Sequence, residues 1–137
     1  MVSEKFNFEL VSPEKKVISE SAWQVTIPGE EGDVGVRAGH MALVMSVRPG
    51  VVEVTRERDG AKEKLFVAGG FADISATQCT LLAEEAIPLA KLDAAKLDEQ
   101  VKTLDAQILV TADEAEKARL QARRATAQSM LLAVKAA

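Results

Sequence analysis

Few residues in this chain have the types and spacing that chemistry requires. There is one histidine, His40, and one cysteine, Cys79. An imidazole beside a thiol makes a base and its nucleophile, but these two stand far apart in sequence, and a lone cysteine more often serves as inert core. Gly29, Gly32, Gly35 and Gly39 are spaced like a glycine-rich loop. Such a loop cradles phosphate when it opens a helix, whose free N–H groups then face the anion. Here the β-branched run Val34–Val36 lies among them, so they read as turn glycines. Glu84-Glu85 reads as a solvated strand end. No HExxH, CxxC, P-loop or GxSxG pattern occurs. No catalytic residue, metal ligand set or resident cofactor is therefore assigned. Near the C-terminus, Arg119, Arg123 and Arg124 form a basic cluster, with Lys117 close by. Residues 119 and 123 are one helical turn apart and share a face. From the residues alone this is an ordinary solvated face with Glu116 as partner.

The elements that position these residues fall into two kinds. Phe6, Phe8 and Leu10 share one face of a strand, which Ser12-Pro13-Glu14 ends. Val17-Ile18 is a second strand. Trp23, Val25 and Ile27 alternate with polar neighbours until Pro28-Gly29 breaks the pattern. Val34–Val36 and Ala42–Val47 follow, and Pro49-Gly50 is a turn signal. Asp59-Gly60, between the runs Val51–Arg58 and Ala61–Val67, predicts a type I′ hairpin with positive φ at both central residues. Phe71, Asp73 and Ser75 alternate with Ala72, Ile74 and Ala76, and Cys79–Ala83 makes a last strand. About nine short strands with no intervening helix predict an antiparallel β-sandwich or flattened barrel.

Beyond Pro88 the pattern becomes helical. Leu97, Val101, Leu104 and Ile108 form one amphipathic stripe, with Asp93 as its N-cap. Propensity drops at Val110-Thr111, and two overlapping capping boxes, Thr111 with Glu114 and Asp113 with Glu116, restart a helix that runs to near Lys135. Its expected inner stripe is Ala115, Ala118, Ala122, Ala125, Ser129 and Leu132, small residues that permit close helix approach. The fold class is thus α+β, with a β-sandwich over 1–87 and a two-helix antiparallel hairpin over 88–137. An alanine seam buries little area, so a movable arm and a permanently docked hairpin are both open.

Composition sharpens this division. All eight glycines and all five aromatic residues of the 137 lie at or before Phe71. Residues 1–87 carry net charge −5 and residues 88–137 carry +1, for −4 overall. The mild acidity argues against nucleic-acid binding, which needs a basic face. No apolar run approaches the ~20 residues of a membrane span. The first residues lack the pattern of a signal peptide, and a single cysteine fits a cytoplasmic setting.

One long motif resembles a known family. Val25-Thr26-Ile27-Pro28-Gly29-Glu30-Glu31-Gly32-Asp33-Val34-Gly35-Val36-Arg37-Ala38-Gly39-His40 is followed by Ala42-Leu43-Val44, Arg48-Pro49-Gly50 and Val67-Ala68-Gly69-Gly70-Phe71. This sequence of motifs is similar to the epsilon subunits of bacterial F-type ATP synthases, called delta in mitochondria, and the likeness covers essentially the whole chain. The resemblance implies a non-catalytic central-stalk rotor subunit, peripheral to the cytoplasmic face of the bacterial inner membrane. Its sandwich would bind the gamma subunit and rest on the ring of c subunits. Asp33 and His40 match the family's ring-facing acidic residue and histidine. The helices would fold down or extend along gamma toward the alpha/beta catalytic hexamer, and the extended form would impede ATP hydrolysis. Arg119, Arg123 and Arg124, with Lys117, match the basic side chains that meet the catalytic subunit.

Some members of that family bind ATP at the hairpin through Ile/Leu-Asp-x-x-Arg-Ala. Here Leu92 and Asp93 match, Lys96 replaces the arginine and Leu97 the alanine. Lysine lacks a planar fork, which leaves Asp93 a second reading as a helix cap. Two other functional classes remain: an ATP-sensing regulatory module, and a β-sandwich adaptor for some other helical partner.

Overall fold

A computed structural model of the chain describes residues 4–136. The chain divides into two compact units, residues 1–88 and 89–137.

The first unit holds ten strands: β1 (Phe6–Val11), β2 (Lys16–Ala22), β3 (Gln24–Gly29), β4 (Gly32–Val36), β5 (Leu43–Val47), β6 (Gly50–Thr55), β7 (Lys62–Val67), β8 (Gly70–Ile74), β9 (Gln78–Ala83) and β10 (Ala86–Pro88). They pair in the order β10-β7-β6-β3-β5-β8-β9-β1-β2, with β4 on β3. The β3–β5 link is one pair of residues, Gly29 with Val47. β5 and β6 are separated by Arg48-Pro49 alone, yet β5 pairs with β8 and β6 with β7. The chain bends there from one layer of the sandwich into the other. Inward residues of both layers form one core: Phe8, Leu10, Val25, Ile27, Val52, Val54, Leu65, Ile74 and Leu81 are among its members with almost no exposure. The period-two alternation of each strand puts them there, since every second side chain faces inward.

Four details differ from the sequence-based expectation. The sandwich is not wholly antiparallel, because β1 runs parallel to β9, Asn7 opposite Gln78 through Val11 opposite Leu82. Parallel neighbours need a long connection, and the intervening strands supply it. Next, Pro28 does not end its strand; β3 continues to Gly29 and the turn falls at Glu30-Glu31. The Pro28 carbonyl accepts from Arg48 N on the β5 side, so its missing N–H faces the sheet's corner and not the β4 ladder. The third concerns the 59–60 hairpin, which is no type I′ turn. Its turn bond runs from Gly60 N to Glu57 O at 2.9 Å, and Asp59 takes positive φ while Gly60 does not. Gly60 is needed for closeness instead: a Cβ there would lie 2.9 Å from the Glu57 carbonyl oxygen. Finally, of the four spaced glycines only Gly32 and Gly39 have positive φ; Gly29 and Gly35 lie inside β3 and β4.

The second unit is a short 3-10 turn, Leu89–Lys91, then α1 (Ala94–Val110) and α2 (Glu114–Ala136). Asp93 caps α1, its Oδ1 accepting from Ala95 N at 2.9 Å and Lys96 N at 3.4 Å. Leu97, Val101 and Leu104 are buried as the spacing predicts. Asp113 caps α2, accepting from Ala115 N at 3.3 Å. Thr111 serves α1 instead, donating to the Gln107 carbonyl at 2.6 Å. The inner face of α2 corrects the expected stripe. Leu120, Ala127, Met130 and Leu131 are buried, whereas Ala115, Ala118, Ala122 and Ala125 are exposed and Leu132 is 58% exposed. Two heptad-like rows coexist on α2, and burial of the row with larger side chains removes more apolar area from water. No helix among the described residues is long and apolar enough to cross a membrane.

Candidate functional site

The expected ring-facing residues sit on two local frames. Asp33 is the second residue of β4, opposite Pro28. Its Oδ1 accepts from Arg48 Nη2 at 2.5 Å, and its side chain stays 61% exposed. His40 belongs to the β4–β5 connection. That connection is pinned by Gly39 N to Ala76 O at 2.8 Å and His40 N to Arg37 O at 3.1 Å, with Gly39 at φ 87°. His40 Nδ1 lies 2.6 Å from the Met41 carbonyl. A carbonyl only accepts, so Nδ1 is the donor in this contact. The Arg37 guanidinium lies 4.2 Å from the Trp23 ring centroid, a cation–π contact. Among the described residues Asp33 and His40 share no hydrogen bond; each is held by its own neighbours.

Sequence reasoning missed a second feature of the sandwich. On the outer face of the β5-β8-β9-β1 layer, Phe71 stands opposite Ser46 and Leu82, Leu82 opposite Val11, and Val44 one step along beside Asp73. Val44 is 72% and Phe71 60% exposed, and Leu82 is also exposed. A shallow depression of about 420 Å³ lies beside them, lined in part by Val11, Pro13, Gly70, Phe71 and Leu82. The signal was present in the alternation of Phe71 with Ala72 and Ile74, but which side faced water depends on how the layers stack. A second depression, of about 340 Å³, runs from the β3–β4 hairpin to Leu43–Ser46. Met41, in the β4–β5 connection, is 80% exposed.

In the helical unit the three arginines separate. Arg124 Nε donates to Asp105 Oδ1 of α1 at 2.9 Å, tying the two helices together. Arg119 and Arg123 are exposed, and neither has an ion-pair partner among the described residues; the considered partner, Glu116, takes no part. Arg123 borders a groove of about 360 Å³ with Lys96, Gln100, Thr103 and Gln107. Asp93 is engaged by the helix it caps, and Leu92 N donates to Leu89 O at 3.1 Å.

Cys79 and His40 do not form a reactive pair. Cys79 is fully buried in the core, and burial, with a smaller contribution from Asp73, pushes its thiol up to about 12. No group of three or more His, Cys, Asp or Glu among the described residues is placed to hold a metal ion.

Comparison with known proteins decides what this architecture is. Residues 5–89 match the family described as "ATP synthase, Delta/Epsilon chain, beta-sandwich domain". The ATP synthase epsilon chain of Rhodospirillum centenum is 39% identical over 134 residues, 95% of this chain and 92% of that one. The chain belongs to the ATP synthase epsilon-chain family. The epsilon chain of Parvibaculum lavamentivorans is 44% identical over 108 residues, covering 78% of this chain and 80% of its own. A chain in the structure of the Euglena gracilis mitochondrial ATP synthase, solved as an OSCP/F1/c-ring assembly, superposes with a TM-score of 0.80. It shares 26% identity, over 99% of this epsilon chain and 82% of that chain. The β-sandwich followed by two helices is thus the epsilon fold, with strands and helices in the order that the sequence predicts.

Proposed function

We propose that this chain is a non-catalytic rotor subunit of a proton-translocating ATP synthase, peripheral to the cytoplasmic face of the bacterial inner membrane. Its sandwich docks on gamma through the apolar row of Val44, Phe71 and Leu82. Its Asp33 and His40 loops rest on the c-ring. The observation that carries this reading is that row: exposed large apolar side chains grouped on one sheet face mark an interaction surface. Coupling then needs no chemistry in this chain, only a stiff body between two partners. Arg119 and Arg123 on α2 are free to meet an acidic surface of the alpha/beta hexamer, and through such a contact the helices restrain ATP hydrolysis.

Reconstitution of the complex tests both parts. Phe71→Lys is expected to abolish co-purification with gamma while the isolated chain stays folded. Arg119→Glu with Arg123→Glu is expected to leave assembly intact and raise ATP hydrolysis several-fold. If Phe71→Lys binds gamma as well as the parent does, the docking assignment is wrong. Failure of the parent chain itself to bind gamma or change hydrolysis would favour an adaptor for another helical partner.

A second reading has one observation in its favour. The groove on the helical unit brings Lys96 and Arg123 to one cleft with three amide or hydroxyl side chains and one carboxylate, Glu99, a polar lining whose two cations outnumber its one acid and can face a nucleotide phosphate. An ATP-sensing role predicts heat of binding with ATP that Lys96→Ala removes; calorimetry showing none for the parent chain ends that reading.

A further inference from the structure

The corner where the sandwich changes layer is built around one arginine. Arg48 follows β5 directly, and its backbone N–H donates to the Pro28 carbonyl at 2.9 Å. Its side chain then crosses to the β3–β4 hairpin. Nη1 donates to the Gly29 carbonyl at 2.5 Å and Nη2 to Asp33 Oδ1 at 2.5 Å. Gly29 is the last residue of β3 and Asp33 the second of β4, so one planar fork is bonded to both strands at the hairpin's tip. Beyond the pairing of its own strands, the tip is held by a bond from Glu30 N to Ser46 O at 3.1 Å. Gly32, at φ 135°, has nothing near where a Cβ would be. Glu30, Glu31 and Asp33 put three carboxylates on this turn, and like charges so close repel unless a cation lies among them.

We propose that Arg48 is the positioning residue for Asp33. It fixes the hairpin tip and selects one orientation of the Asp33 carboxylate. Oδ1 is engaged by the strap, and Oδ2 has no partner among the described residues, which leaves it as an acceptor for a donor group on the surface this chain rests against. The inference builds on the reading that Asp33 faces the c-ring. It adds that the contact made by Asp33 is a hydrogen bond accepted by a partly neutralised carboxylate, not a bare ion pair, because Arg48 already balances its charge. A lysine would keep the charge but not the planar fork that reaches two acceptors.

Two measurements test it separately from that reading. In the isolated full-length chain, Arg48→Met is expected to speed amide exchange at Glu30–Val34 about ten-fold, with Arg48→Lys between the two; unchanged exchange overturns the strap outright. In the complex reconstituted in vesicles, ATP-driven proton pumping is compared for the parent, Arg48→Met, Asp33→Asn and the double variant. If Arg48 acts through Asp33, each single change lowers pumping and the double is no worse than Asp33→Asn alone. Additive losses would mean that Arg48 only braces the hairpin, and the positioning role falls. Faster exchange with full pumping in Asp33→Asn would instead overturn the ring-facing reading of Asp33. Should Arg48→Met fail to fold, Arg48→Lys carries the same cycle.

Discussion

At Gly70 the chain passes so near β9 that a Cβ would stand 1.9 Å from the Leu82 carbonyl oxygen, at φ 150°. The Leu82 carbonyl cannot yield, since it belongs to backbone paired in the β8–β9 ladder. Gly70→Ala is therefore expected to destabilise the sandwich by at least about 3 kcal/mol. Gly32→Ala, at φ 135° but in open space, should cost only about 1 kcal/mol; equal losses in urea unfolding would refute this contrast. Cys79 gives a second prediction at this scale. With its thiol pushed up to about 12, it should resist alkylation at pH 8 in the native chain and react at once in urea. The sign of its pH effect follows. Below ~8.5 both states hold the neutral thiol, and above it the unfolded chain ionises first, so folding stability falls by at most about 1.4 kcal/mol per pH unit. Rapid native labelling would show that the core opens there. The sequence marked Cys79 as core but not Arg48 as a strap, because a bond from one corner to a distant hairpin has no local signature.

Elements differ in how much of them a sequence shows. Strands with one wet and one dry face announce themselves by alternation, and Phe6, Phe8, Leu10, Val52 and Val54 lie where that alternation puts them. The α1 stripe was equally legible, since its helix has one apolar row. α2 has two, on nearly opposite sides, and local spacing cannot choose between rows of similar period; the area each buries decides. That choice can be measured. Leu131→Ala is expected to cost at least about 2 kcal/mol of hairpin stability, and Ala122→Gln less than about 0.5 kcal/mol. The reverse order in thermal unfolding of the helical signal would restore the alanine seam as the inner face. Turn chemistry was the other weak point. Asp59-Gly60 has the composition of a tight hairpin, yet the close approach of Gly60 to Glu57 sets a different turn. Surface charge adds local order of its own. Arg56 lies between Glu20 and Glu63, and its hydrogen bond to Glu20 first, then its hydrogen bond to Glu63, outweigh partial burial and hold its guanidinium above the usual range. That cluster joins β2 to the β6–β7 hairpin.

The molecule as a whole is two units with separate cores. A chain ending after Pro88 should keep a folded sandwich, read from a cooperative transition of Trp23 fluorescence, and should keep coupling while losing any restraint on hydrolysis. Loss of the transition would show that the units fold as one. The order of folding within the first unit is set by its parallel pair. β1 is flanked by β2 on one side and β9 on the other, and the second of these partners lies almost at the end of the unit. During synthesis β1 can form a hairpin with β2, but Phe6, Phe8 and Leu10 must wait with an unfinished core until residues 78–82 leave the ribosome. A contact between such distant stretches slows closure, and a waiting apolar hairpin is open to wrong partners. The epsilon sandwich thus closes last at its beginning, so a stalled or truncated nascent chain short of Leu82 would be a client for chaperones, not a smaller version of the same body.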